Sequence, residues 1–149
     1  MTRSQLRPAG RSLLLGTMLA VLTVAHADDQ ETIDYRRHIM KTMGEQAASI
    51  NMILQQKAPP ENFAIHVKIL AVTAATAKKA FEPKVPGGDA KPEVWANWAD
   101  FTKRIDALVA ATASLAETAQ QGGIAAAAPK VQGALTCKSC HDNYRAPKT

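Results

Sequence analysis

The chain has 149 residues, with 18 Lys and Arg against 13 Asp and Glu, and this length suits one domain or a domain plus a processed segment. Eight Gly and eight Pro exclude collagen-like and low-complexity chains, and an apolar share of 46% that is rich in Ala argues against an all-β fold. Two cysteines are too few for a multi-disulfide framework. The formal charge of +5 invites a nucleic-acid or membrane-surface interpretation, which depends on where the charge lies.

Residues 1–27 have the three parts of a secretory signal peptide. A front with three arginines precedes an apolar stretch, Ser12–Val24, that is too short to span a bilayer, and Ala25-His26-Ala27 fits a peptidase site. An uncleaved membrane anchor is the competing interpretation. Cleavage takes three of the 18 basic residues and none of the 13 acidic ones, so the formal charge falls from +5 to +2. We therefore predict a periplasmic protein with no nucleic-acid partner and no stable membrane insertion after cleavage.

The mature chain, residues 28–149, begins with two predicted helices. The first runs from about Ile33 to Lys57 and ends before Pro59-Pro60, and the second runs from about Glu61 to Phe81. The apolar spacing of the first gives the seam Ile33, Arg36, Met40, Met43, Ala47, Ile50 and Leu54. The seam of the second is Phe63, Val67, Leu70, Ala74, Ala77 and Phe81.

A loop, Glu82–Lys91, leads to two more predicted helices. The third opens near Pro92, breaks at Gly122-Gly123, and has the seam Trp98, Phe101, Ile105, Leu108, Thr112 and Leu115. The last begins around Ala127–Lys130 and continues to about Arg145. Four helices with short loops and no strand pattern predict an all-α, antiparallel four-helix bundle. Because its seams are rich in Ala and Met, the bundle is either thin or filled by something other than side chains.

The chemistry is concentrated at Cys137-Lys138-Ser139-Cys140-His141, the Cys-x-x-Cys-His motif by which c-type haem is attached. On a helix, residues three and four apart share one face, so two thiols can reach the haem vinyl groups while the imidazole reaches the iron. A redox dithiol would favour a βαβ context, and a zinc site needs four ligands although only His38 and His66 remain. A structural disulfide would leave the adjacent His unexplained. We therefore predict one haem c with its iron, held by two thioether bonds.

Three segments carry a family resemblance. Cys137–Arg145 at the end of a four-helix chain resembles the C-terminal signature of the cytochrome c′ family. Tyr35-Arg36-Arg37 followed by Met40 is similar to the first helix of that family, and Phe81–Trp95 is similar to its loop into the third helix. The resemblance covers essentially all of the mature chain.

The resemblance implies a role for each matched residue, and each role except that of His141 has a simpler alternative. His141 would be the proximal iron ligand. Arg145 would lie beside its imidazole and help set the redox potential, or would be a solvated C-terminal cation. Arg36 would bind a haem propionate, or would extend to the bundle edge. Trp95 would line the haem edge or be a plain core aromatic, and Arg37, where the family often has Gln, would reach the other propionate or the surface.

Met40 decides the function that the resemblance implies. High-spin members have an apolar or aromatic residue at this position, which leaves a five-coordinate iron open to small gases. Low-spin members, the cytochrome c-556 type, place a Met there as sixth ligand, and a His/Met pair raises the potential and closes the site. Met40 could instead be core packing, and Met43, one turn away, could compete for the iron. His38 is expected to face outward.

The preferred hypothesis is a one-electron carrier whose iron is bound by His141 and Met40. The alternative is a five-coordinate haem protein that binds nitric oxide or carbon monoxide, and a peroxidase-like enzyme is the weakest hypothesis. No acid–base or nucleophile constellation is visible elsewhere, so we predict no enzymatic activity. Redox proteins are the expected partners, and a homodimer is plausible because many family members pair through their first two helices.

Overall fold

A computed structural model describes residues 28–147, and the predicted signal peptide, residues 1–27, lies outside that range. The helices are α1 Asp29–Leu54, α2 Phe63–Phe81, α3 Glu93–Ala96, α4 Trp98–Ala127, α5 Val131–Ala134 and α6 Cys137–Tyr144, with 3-10 turns at Pro60–Asn62 and Ala128–Lys130. Between residues 28 and 147 the backbone forms no strand, only two isolated bridges. No helix in this range is long and apolar enough to cross a membrane. The all-α four-helix prediction is confirmed, with α1, α2, α4 and the α5–α6 segment as its four helical arms.

The first helix begins one turn earlier than the apolar spacing predicts. The Asp28 carboxylate accepts the Glu31 amide at 2.7 Å, and the Glu31 carboxylate accepts the Asp28 amide at 3.3 Å. This reciprocal pair is a capping box, and it forms ahead of Ile33, the first seam residue and the predicted start. The helix ends at Leu54, slightly before its predicted end, because Gln56 takes a left-handed φ of 58°.

The central helix is α2, which packs against both α1 and α4. All six residues of its predicted seam are buried. The predicted seams of α1 and α4 are more mixed. Their buried members are Arg36, Met43, Ile50, Phe101, Ile105, Thr112 and Leu115. Their half-buried members are Ile33, Met40, Ala47, Leu54, Trp98 and Leu108.

The last helix was predicted to be continuous, and this is wrong. Gly123 takes a non-helical φ of 63° and kinks α4, but helical structure resumes and reaches Ala127, beyond the predicted break. Leu135, at φ −91° and ψ 61°, ends α5, and α6 starts after Thr136. Gly133, a poor helix former, weakens the turn before this break. As a result the Cys-x-x-Cys-His motif occupies a separate helix of eight residues.

The loop between α2 and α3 lies against the first helix. Gly87 and Gly88 have φ values of 126° and 61°, which favour glycine. The side chain of Ile33 fills the space next to them, so that a Cβ added to Gly88 would lie 2.8 Å from its Cγ2 atom. This close approach fixes the loop on α1.

The same loop is also bonded to the end of the last helix. The Lys91 amide donates to the carbonyl of Tyr144 at 3.0 Å, and the Ala146 amide donates to the carbonyl of Asp89 at 2.8 Å. An isolated bridge pairs Ala90 with the residue after α6. The loop therefore links α1, the helix that carries Met40, with α6.

We predict that Gly88→Ala destabilises the fold by about 1–3 kcal/mol, because an L side chain at this φ is strained and its Cβ meets Ile33. Gly44→Ala is the matched control. Gly44 lies in α1, and no atom lies within 4 Å of the position that the added methyl group would occupy, so this substitution should stabilise by about 0.5–1 kcal/mol. Denaturant unfolding measures both changes. Equal effects of the two substitutions would contradict the proposed strain at Gly88.

Candidate functional site

The motif residues share one face of α6, as their spacing predicts. Cys137 is exposed, whereas Cys140 and His141 are half-buried. Both cysteines are free thiols and do not form a disulfide with each other. Two unbonded thiols and an imidazole on adjacent turns of one helix can be reached by a single group lying against that face.

Burial and charge together favour the neutral, metal-binding form of the His141 imidazole. Burial lowers the pKa of His141, the Arg145 guanidinium lowers it further, and the Asp142 carboxylate acts in the opposite direction. Burial also raises the pKa of the Cys140 thiol. Arg145 itself is half-buried at the end of α6 and is not a freely solvated terminal cation.

Arg36 is a buried cation with an incomplete set of partners. Only 3% of its surface is exposed, and its guanidinium lies 5.4 Å from the Phe81 ring centroid and 5.2 Å from that of Trp95. Nη2 donates to the Gly87 carbonyl at 3.3 Å, but the buried Nη1 has no hydrogen-bond partner among residues 28–147. Burial lowers the pKa of Arg36, and the neighbouring Arg37 lowers it further. An unpaired buried cation is costly, so this position calls for an anion.

Trp95 packs against Arg36, whereas the neighbouring Arg37 lies at the surface. The Trp95 ring is half-buried, and its Nε1 donates to the Phe81 carbonyl at 2.9 Å, which fixes the ring beside Arg36. Arg37 is exposed and forms an ion pair with Asp34 at 3.4 Å. Of the two positions considered for Arg37, this structure has the surface one.

The methionines of α1 differ in how deeply they are buried. Met43 is buried in the core, whereas Met52 is exposed. Met40 is half-buried and packs against the edge of the core, one turn after Arg36 on the same face. His38 is exposed, as predicted. Met40 is therefore the methionine of α1 that combines contact with the core and access to a group at the Arg36 end of the bundle.

Three residues near the motif form a network that the sequence does not reveal. Asp100 accepts hydrogen bonds from Arg104 Nε at 2.6 Å and from the Tyr144 hydroxyl at 2.5 Å. Arg104 also donates through Nη1 to the carbonyl of Ser139, inside the motif, at 3.0 Å. The four-residue spacing of Asp100 and Arg104 is visible in the sequence, but it is typical of an ordinary surface pair. Their contact with α6 joins positions far apart in the chain.

These residues fit a haem. A haem is flat and largely apolar and carries two propionates, and the unpaired Nη1 of Arg36 is a buried donor that an anionic group would satisfy. The loop from Gly87 to Lys91 brings Arg36 and the end of α6 to the same end of the bundle. Within residues 28–147, no group of three or more His, Cys, Asp or Glu side chains is placed to hold a metal ion by itself.

The known proteins that this chain resembles are consistent with that fit. A family model described as Cytochrome C′ matches residues 31–145. Cytochrome c′ of Alcaligenes xylosoxydans xylosoxydans is 30% identical over 129 residues, which cover 82% of this chain and 98% of the relative. Cytochrome c′ of Rhodopseudomonas palustris is 38% identical over 129 residues, which cover 80% of this chain and 84% of the relative.

Solved structures of similar fold include gas complexes. A ferrous variant of cytochrome c prime from Alcaligenes xylosoxidans with bound nitric oxide superposes with a TM-score of 0.75 at 25% identity, and covers 83% of this chain and 100% of its own. A variant of the same protein with bound carbon monoxide also has a TM-score of 0.75. The sequence resemblance drawn from the motif and the two other segments is thereby confirmed.

We predict that Arg36→Met lowers the free energy of unfolding of the haem-loaded protein by about 3–5 kcal/mol when an anion of the haem pairs with Nη1, because that anion then loses its cation. Arg37→Met is the control and should cost below about 1 kcal/mol, since Arg37 is exposed and its ion pair with Asp34 lies at the surface. Denaturant unfolding measures both. If Arg36→Met leaves stability unchanged or raises it, no anion pairs with Arg36.

Proposed function

Because the chain belongs to the cytochrome c′ family and carries covalently attached haem c with its iron, we propose that it is an exported haem protein whose iron site takes up nitric oxide or carbon monoxide. The observation that supports this most directly is the match to solved relatives with these gases bound. The predicted signal peptide and the periplasmic setting that it implies are part of the proposal.

On this proposal the motif of α6 holds the haem. Cys137 and Cys140 would form the two thioether bonds, and the His141 imidazole would bind the iron. When bound, haem supplies reversible one-electron chemistry and an iron site for small diatomic gases. The lowered pKa of His141 supports its role, because only the unprotonated imidazole can donate a lone pair to a metal.

Arg36 and Trp95 would orient the haem, and Arg145 would influence its redox potential. Arg36 binds a propionate through Nη1, the atom that lacks a partner among the described residues. Trp95, which stacks on Arg36 and is fixed by its bond to Phe81, lies along the haem edge. Arg145 keeps positive charge next to the His141 imidazole.

Met40 is the side chain that lies over the open side of the iron on this proposal. Methionine is unbranched and flexible, so it can move aside for a diatomic gas more readily than a branched or aromatic side chain could. Its half-buried position at the edge of the core leaves space for such movement.

The second candidate is the electron carrier that the sequence favours, with Met40 as a sixth ligand. Its specific support is that Met40, and not the buried Met43, lies at the accessible edge on the face of Arg36. Iron ligated by His141 and Met40 would exchange single electrons with redox partner proteins and leave no open position. The comparisons support the gas-binding function better, because the similar solved structures include nitric oxide and carbon monoxide complexes. Neither function requires an enzymatic reaction.

Homodimer formation is a further part of the proposal. Exposed apolar side chains lie on α2 at Ile65, Ile69 and Val72, and Met52 is exposed on α1. Apolar side chains at helical spacing on one surface are typical of a helix that contacts a partner. This supports pairing of two chains through their first two helices.

Absorption spectra of the oxidised and reduced protein, with and without carbon monoxide, test the gas-binding function. We expect a high-spin Fe(II) spectrum that changes on mixing with carbon monoxide, because no protein ligand holds the sixth position. A low-spin Fe(II) spectrum that responds slowly to carbon monoxide would contradict this and support the electron carrier.

Met40→Ala tests whether Met40 controls the spin state of the iron and the rate of carbon monoxide binding. In a gas binder, Met40→Ala leaves the spin state unchanged and speeds carbon monoxide binding, because a mobile obstacle is removed. In an electron carrier it converts a low-spin spectrum to a high-spin one. Met52→Ala, which removes an exposed methionine of the same helix, should change neither property.

Arg145→Gln is expected to lower the midpoint potential of the haem. Oxidised haem carries one more positive charge than reduced haem, so removing the cation beside His141 stabilises the oxidised form. Lys68→Gln removes an equal charge from an exposed position on α2 and is the control. A spectroelectrochemical titration measures both, and equal shifts would show that Arg145 contributes only to the overall charge.

A further inference from the structure

The Asp100 carboxylate on α4 accepts hydrogen bonds from two side chains, one of which belongs to α6 while the other is hydrogen-bonded to it. Oδ2 of Asp100 accepts the Nε hydrogen of Arg104 at 2.6 Å and the hydroxyl hydrogen of Tyr144 at 2.5 Å. These two hydrogen bonds lower the pKa of the Asp100 carboxyl, so it is ionised at neutral pH. Bonds to an ionised acceptor are shorter and stronger than bonds between neutral groups.

The two donors hold α6 on either side of the predicted iron ligand. Arg104 donates through Nη1 to the carbonyl of Ser139 at 3.0 Å, two residues before His141. Tyr144 lies three residues after His141 and is itself part of α6. Asp100 is therefore connected to the helix both before and after the turn that carries the imidazole.

The environment of Tyr144 makes this connection rigid. The residue is 6% exposed, and its ring packs edge-on against Phe101 of α4 with centroids 5.2 Å apart. The Tyr144 carbonyl accepts a hydrogen bond from the Lys91 amide. The ring, the hydroxyl group and the backbone of Tyr144 therefore each have a partner outside α6. The short helix α6 packs mainly against α3 and α4, and these few contacts must fix its rotation about its own axis.

We propose that Asp100 is a positioning residue, which acts through Arg104 and Tyr144 to fix the orientation of α6 and hence the angle at which the His141 imidazole meets the haem iron. This rests on the proposed ligation of the iron by His141. Asp100 touches neither haem nor ligand on this proposal. It acts by preventing α6 from rotating, because a rotation would turn Tyr144 away from Asp100 and pull Ser139 from Arg104.

Electron paramagnetic resonance of the oxidised holoprotein tests this, because its g-values report the geometry of the axial ligand in either spin state. Tyr144→Phe removes one hydroxyl and no formal charge, and it keeps the ring packed on Phe101. We expect the g-values to shift or the spectral lines to broaden, and the midpoint potential of the haem to shift. Tyr35→Phe, the same change at an exposed tyrosine of α1, should leave both unchanged.

Substitutions at Asp100 and Arg104 separate a role in positioning α6 from a contribution to the stability of the fold. Asp100→Asn should alter the g-values in the same way as Tyr144→Phe, and Asp100→Glu, which keeps the charge, should restore them in part. Asp106→Asn is the matched control, since Asp106 lies on the same helix but pairs with Lys78 at 2.9 Å. Arg104→Lys keeps the charge but cannot hold Asp100 and Ser139 through separate nitrogens, so it too should change the g-values.

The outcomes are distinguishable. If Tyr144→Phe and Asp100→Asn lower the unfolding midpoint but keep wild-type g-values and potential, the network only stabilises the fold and the inference is wrong. Should one variant fail to fold, the g-values of the other and of Arg104→Lys decide the question in the same way. If His141→Ala leaves the wild-type spectrum unchanged, the ligation by His141 fails and the positioning role fails with it.

Discussion

The burial of one cation without an anionic partner is the constraint on which the rest of the structure depends. Arg36 is surrounded by the rings of Phe81 and Trp95 and by the loop at Gly87, yet its Nη1 has no partner among the described residues. An anion from outside the chain that bonds to Nη1 would stabilise this arrangement. Haem carries two propionates beside a large apolar ring, and we propose that one of them is this anion. A haem would also account for the Ala-rich seams of the bundle, because its ring would occupy the volume that small side chains leave.

A loop joins the two sides of the proposed haem site directly, in addition to the packing of α1, α2, α4 and α6. The loop lies on Ile33 of α1 at one end and is bonded to the backbone around Tyr144 at the other. It therefore relates the helix of Met40 to the helix of His141. Asp100 holds α6 from a second direction, so the helix that carries His141 is held by contacts from two elements. On the proposed function, Met40 is the side chain that decides whether the iron is open to a gas.

How much could be predicted from the sequence differs between parts of the molecule. The fold class, the α2 seam and the motif followed from periodicity and from a specific spacing, because both are local signals. The break at Leu135 was missed because Gly133 is the one poor helix former between Val131 and Leu135, and a single Gly does not by itself predict the end of a helix. Asp100 was missed because its partner Tyr144 is 44 residues away. The sequence favoured Met40 as an iron ligand, whereas the comparisons support the gas-binding alternative better, because the same thioether serves as ligand or as packing.

The most direct test of the account is whether one haem is bound covalently through both cysteines of α6. Mass spectrometry of the purified protein after acid–acetone treatment, with peptide mapping, measures this. We predict that one haem per chain resists extraction and maps to the peptide that contains Cys137 and Cys140, and that Cys137→Ser retains a single thioether bond. Haem that is fully extracted, or that maps outside this peptide, would contradict the account.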